Sequence, residues 1–234
     1  MNKNLYKVEQ KRDTNGICIP KYDNYVIPTL DKTAPASKIL NSKQDLSGKK
    51  FTVKDAFGRD VVMSADWIAG FTDGEGTLTI NINKNTTLTY KFQIQPVFII
   101  VQGEADYYLL TAIANFFGCG SVTVNRKDKT SVRYQYRVNN LELLTNIFIP
   151  FFDKVSLLTK KKDEYFLWKD LVIEHRNKTN LDSWPNSMVA FLEKAKLWKC
   201  LGTQTKQTES YIKTCDKYIE IVKGIPSENI ERLK

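Results

Sequence analysis

The sequence predicts an α+β fold in the order α-β-β-α-β-β-α, a saddle-shaped sheet of four antiparallel strands with helices on one side. Three observations predict it. In the segment 77–85, TLTININKN, polar residues at every odd position alternate with the apolar Leu78, Ile80 and Ile82. Two pairs of such strand patterns are separated by a stretch of helical periodicity, and a capped helical segment stands before the first strand. Period 2 marks a strand with one buried face, and period 3.6 marks a helix with one buried stripe.

Ser64 is a candidate N-cap with Asp66 in the first turn, so residues 65–76, ADWIAGFTDGEG, predict a short helix ending at Gly74 and Gly76. The first strand then puts Thr77, Thr79, Asn81, Asn83 and Asn85 on one face and Leu78, Ile80 and Ile82 on the other. A second strand, about 90–101, alternates through Lys91, Gln93 and Gln95; Pro96 predicts a bulge or an edge before the apolar run 97–101. Ala105, Tyr108, Leu109, Ala112, Ile113 and Phe116 follow helical spacing, with Gly118 as the C-terminal cap. The pattern repeats with SVTVNRK, exposing Ser121, Thr123, Asn125 and Lys127, and SVRYQYRV, exposing Arg133, Gln135 and Arg137, before another helix from Asn140.

Outside this unit, residues 1–60 read as an irregular arm, interrupted by Pro20, Pro28 and Pro35, with a short hairpin across 50–63 turning near Gly58. Helical patterns at 160–175, 185–200 and 205–222 follow, the last two forming a tail. The expected division is therefore an arm (1–60), a core (61–178) and a C-terminal helical extension (179–234).

Composition narrows the chemistry. A formal net charge of +9 favours an anionic partner. The core alone holds 14 basic and 12 acidic residues, so the fold must sort positive groups onto one surface. His175 is the single histidine, which excludes multi-histidine metal sites, and its neighbours suggest a helix-surface residue. Metal chemistry would rest on carboxylates, which suit hard cations such as magnesium. The four cysteines form no metal-binding or disulfide spacing and suit a reducing compartment. The first residues have no apolar signal segment, acidic residues appear too early for a transit peptide, and no stretch suits a bilayer span, so no membrane association is expected.

An antiparallel sheet covered on one side exposes its other face to solvent, so polar alternation is compatible with no function at all. The residue types lean towards DNA: Asn and Gln match adenine edges, Arg matches guanine, Thr reaches phosphate or the thymine methyl, and a β-ribbon fits the major groove. No acidic residue stands among the exposed ones named.

The stretch Trp67-Ile68-Ala69-Gly70-Phe71-Thr72-Asp73-Gly74-Glu75-Gly76, with a helix before it and a strand after it, resembles the motif that names the LAGLIDADG homing endonucleases. Small residues at Ala69, Gly70 and Gly74 permit close helix approach, and helix termination explains the glycines without explaining the acid between them. The resemblance covers 64 to about 176. It implies a site-specific double-strand DNA endonuclease, encoded by a group I intron in a mitochondrion or chloroplast, that hydrolyses phosphodiester bonds with Mg2+ or Mn2+. One motif implies the homodimeric branch and a long, pseudo-palindromic site. Glu75 and the Gly74 carbonyl would hold the metal, with Gln102 and Lys160 beside the scissile phosphate. Ala69, Gly70, Asp73 and Gly74 would lie on the dimer interface, although Asp73 reads better as structural. Where some members carry a basic residue after the Gln102 position, this chain has Gly103-Glu104-Ala105-Asp106, so that charge is absent or comes from 160–162. The alternatives are a maturase on the same fold, binding intron RNA, and a DNA-binding protein that does not cut; an intact Glu75 argues against the last.

Overall fold

A computed structural model describes residues 11–12, 18–19, 45–54, 59–129, 131–202 and 205–230. The expected irregularity of the arm around Pro20, Pro28 and Pro35, and the turn near Gly58, lie outside these residues. Two short strands, β1 (Lys11–Arg12) and β2 (Cys18–Ile19), pair with each other. The expected hairpin forms from β3 (Lys50–Lys54) and β4 (Asp60–Ser64).

Helix α1 (Ala65–Glu75) starts where its cap is: the Ser64 hydroxyl accepts from the Trp67 N–H at 3.2 Å. It leads into β5 (Gly76–Lys84), and β6 (Phe92–Gly103) returns beside it. Helix α2 (Tyr107–Phe117) follows a single 3-10 turn and ends at Gly118, whose φ of 68° is the left-handed cap conformation. Strands β7 (Ser121–Lys127) and β8 (Val132–Val138) complete a sheet of order β5-β6-β8-β7, antiparallel throughout. The predicted α-β-β-α-β-β-α order is therefore the observed one. Asn140 caps α3 (Leu141–Leu143), which runs through a π turn (Leu144–Phe148) into α4 (Ile149–Lys154). Pro150 cannot donate a helical hydrogen bond, and the wide turn before it absorbs that break.

Helix α5 (Lys161–Asn177) crosses the sheet, and its Trp168 indole donates to the Thr79 carbonyl at 3.1 Å. The side chains under the sheet, among them Ile80, Phe92, Phe98, Ile100, Phe116, Phe148 and Trp168, are fully buried. Truncating one of these aromatics to Ala would cost roughly 3–5 kcal/mol. Helices α6 (Asn186–Leu201) and α7 (Lys206–Lys223) belong to the same apolar cluster, where the Tyr218 ring lies 4.5 Å from that of Phe92. The tail thus packs on the core rather than standing apart from it.

Of the two readings of Pro96 the edge holds, and the reading of His175 changes. Pro96 causes no bulge, because the β5–β6 register runs unbroken through the Ile80–Pro96 pair. It lies before the point where β8 joins at Phe98, so β6 is locally an edge there. His175 is not a surface residue: it is half-buried, donates to the Ile94 backbone, and burial holds its pKa below the usual 6.5. It is a packing histidine and takes no part in the site.

Candidate active site and nucleic-acid interface

Strand pairing sets the open face row by row. Asn83 stands beside Gln93, Asn81 beside Gln95 and Thr79 beside Val97. Thr77, Ile99, Arg137 and Ser121 share a row, and Val101, Gln135 and Thr123 share the next. The amides are oriented by one another: Asn125 donates to Gln135 at 3.0 Å, Gln135 to Thr123 at 3.3 Å, and Arg137 to Gln95 at 3.4 Å. Among the described residues, neither Arg133 nor Arg137 meets a carboxylate. No acidic side chain stands in these rows; beyond them, at the end of β7, Asp128 pairs with Arg126 at 2.7 Å.

Three sequence-predicted positions fall differently. The β7–β8 register shifts between Val124 and Arg126, which places Lys127 opposite Val132 on the helix side and Arg126 opposite Arg133 on the open face. A bulge reverses the alternation after it, and SVTVNRK carries no local signal of one. Asn85 lies beyond β5, where its side chain accepts from the Thr87 N–H at 3.1 Å and the Thr87 hydroxyl at 2.6 Å, shaping the turn. Lys91 lies in that connection with φ 65°. The open face also holds apolar residues that periodicity concealed. Val97, Ile99 and Val101 lie on it, and Val97 is buried without joining the core cluster.

Glu75 ends α1 and is exposed, one residue before Gly76 pairs with Ile100. Gln102 lies two residues beyond Ile100 on β6 and pairs with Tyr134, so acid and amide share one end of the sheet. The end of a helix carries carbonyls without intrahelical partners and the negative end of its dipole. Gly74 and Glu75 supply such carbonyls next to an exposed carboxylate, an oxygen donor set suited to a hard divalent cation. Among the described residues no cluster of three or more acids, histidines or cysteines is assembled.

Asp73 does not compete for that role. Its carboxylate accepts from the Leu158 N–H at 2.7 Å, the Thr159 N–H at 3.3 Å and the Thr159 hydroxyl at 2.8 Å. The Thr159 hydroxyl accepts in turn from the Lys161 N–H at 3.2 Å. Asp73 therefore fastens the segment carrying Lys160 to the helix carrying Glu75, across 86 residues of sequence. These bonds support the structural reading of Asp73. Asp73→Ala is expected to cost about 1.5–3 kcal/mol in a denaturant titration, since the lost bonds end on a charged acceptor. An unchanged unfolding midpoint would show that these bonds do not fasten the segment.

The rest of α1 presents Ala69, nearly buried, and Gly70 and Gly74, both exposed with no atom within 4 Å of where a Cβ would stand. Trp67, 37% exposed, stacks on Phe71 at 4.8 Å beside them. Gly76 differs, since a Cβ there would lie 2.5 Å from the Thr72 methyl carbon and 2.6 Å from its carbonyl oxygen.

Comparison with known proteins places this arrangement. The family model described as LAGLIDADG endonuclease matches residues 68–172. A probable intron-encoded endonuclease of Neurospora crassa is 32% identical over 110 residues, 47% of this chain and 24% of that protein. The chain thus spans about a quarter of the length of that curated relative. The crystal structure of the homing endonuclease I-TnaI superposes with a TM-score of 0.57 at 29% identity, covering 67% of this chain and 98% of that one. I-SmaMI, bound to an uncleaved DNA target in the presence of calcium ions, superposes with a TM-score of 0.55 at 25% identity, covering 65% of this chain but 50% of that one. Residues 68–172 thus match the LAGLIDADG endonuclease family, and the fold that carries them superposes on solved homing endonucleases.

Proposed function

We propose that the chain is a site-specific, intron-encoded homing endonuclease that hydrolyses both strands of a long, pseudo-palindromic DNA site as a homodimer. The observation that carries the reading is the exposed Glu75 carboxylate, held at the end of α1 where the acid-free polar sheet face begins. Glu75 and the Gly74 carbonyl of each chain would hold Mg2+ or Mn2+, which when bound supplies activation of the attacking water and stabilisation of the leaving oxygen. Lys160, fixed through Asp73, places an ammonium group beside the phosphate, and Gln102 orients solvent from the β6 side. Along the sheet, Thr77, Thr79, Asn81, Asn83, Gln93, Gln95, Thr123, Asn125, Arg133, Gln135 and Arg137 face the major groove. Arg126 joins them, and the turn residues Asn85 and Lys91 reach the flanking DNA.

Two supports favour pairing. One chain assembles no cluster of three or more metal-ligating side chains among the described residues, and its matched region fills half of the I-SmaMI chain while matching nearly all of I-TnaI. The test is incubation of the purified chain with magnesium and a plasmid carrying the intronless insertion site. A double-strand break that chelation suppresses is the expected result; an intact plasmid with both magnesium and manganese overturns the reading.

A further inference from the structure

Beside β5, on the side away from β6, lies a cleft of about 320 Å3 that the chemistry above does not use. Its walls come from Thr77 and Thr79 of the open face, Lys161 of α5, Trp198 and Lys199 of α6, and Thr208 in the first turn of α7. Trp198 is 4% exposed and its indole N–H has no partner among the described residues, an unusual expense for a buried donor. Among the described residues Lys199 meets no carboxylate; its ammonium lies 5.7 Å from the Trp198 ring centre and 5.8 Å from that of Tyr211. Lys161 is 3.9 Å from Glu164, the one acid in the cleft, which leaves Lys199 as the uncompensated charge. The 18-residue α7 also directs the positive end of its dipole to its first turn.

Ammonium groups, an indole N–H and threonine hydroxyls form a set dominated by donors, which calls for a small anion with several acceptor oxygens. We propose that this cleft grips a backbone phosphate of the DNA flanking the bases read by β5. The C-terminal helices, beyond the segment that defines the family, are then part of the nucleic-acid interface. The inference rests on the DNA-cutting reading and adds a site to it. A phosphate is the anion presented there, because Thr77 and Thr79 belong both to the cleft wall and to the DNA-facing rows. The contact is sequence-independent and remote from the reacting atoms, so it contributes affinity rather than rate.

The test compares wild type, Lys199→Ala and Lys199→Arg on one target duplex over a range of salt, with binding, kcat and KM measured separately. Lys199→Ala should weaken binding about tenfold at low salt, as expected for loss of a bond between charged groups. The slope of log affinity against log salt should become shallower by about 0.9, the loss of one phosphate contact. KM should rise with kcat unchanged, and Lys199→Arg should restore both slope and KM. A purely structural lysine would move thermal stability without moving the salt slope. Wild-type slope and KM in Lys199→Ala, with wild-type cutting intact, overturn the phosphate site and leave the endonuclease standing. A wild-type chain that binds no duplex at low salt overturns both.

Discussion

On the proposed mechanism, Glu75→Gln is expected to lower double-strand cutting by a factor on the order of 10^3 or more, since a charged metal ligand would be lost from both halves of the site. The amide keeps the shape of the side chain and removes only its charge. Glu75 is exposed and makes no hydrogen bond or ion pair among the described residues, so the fold should lose almost nothing. DNA binding should persist or tighten, because two carboxylates that oppose the phosphates are neutralised. A filter or gel assay with magnesium, read beside a cleavage time course, separates the two quantities. Full cutting by the variant would remove Glu75 from the reaction; loss of binding together with cutting would point to a folding or docking role instead.

The legibility of this site in the sequence follows the range of the interactions that build it. Ser64, α1 and the alternation of β5 depend on neighbours within a few residues, and all three were readable. So was Glu75, since a helix end followed at once by a strand is a local event. Strand β6 was harder: both of its faces are apolar from Val97 to Val101, so period 2 vanishes where the sheet is best covered. The bulge in β7 turns on pairing with β8, and it exchanged Lys127 for Arg126. The bond from Asp73 to Leu158 and Thr159 spans more than 80 residues and leaves no trace in periodicity. Tertiary packing likewise turned His175 inward and folded the C-terminal helices onto the core. Local propensity proposes the elements, and pairing register decides which side chains share a surface.

On the proposed pairing through α1, Gly70→Leu is expected to leave the folded chain at least as stable as wild type while abolishing the pair and its double-strand cut. Nothing within the chain resists the new side chain, because Gly70 is exposed and has open space where a Cβ would stand. Removing a glycine from a helix interior should raise helix stability by roughly 0.5–1 kcal/mol. Two α1 helices can approach to the short end of the usual 8–10 Å only if small residues line the contact, so a leucine at this position forces them apart. Separation of the helices also separates the two Glu75 carboxylates, and cutting should drop by at least about a hundredfold, given how steeply catalysis depends on position. Gly76→Ala provides the opposite control: its methyl group would collide with Thr72, so it should lower the unfolding midpoint of the chain itself. Sedimentation and thermal melts distinguish the two cases. A Gly70→Leu chain that still sediments as a pair and cuts both strands would show that α1 is not the seam, and the glycines would then be unexplained by any contact within the chain.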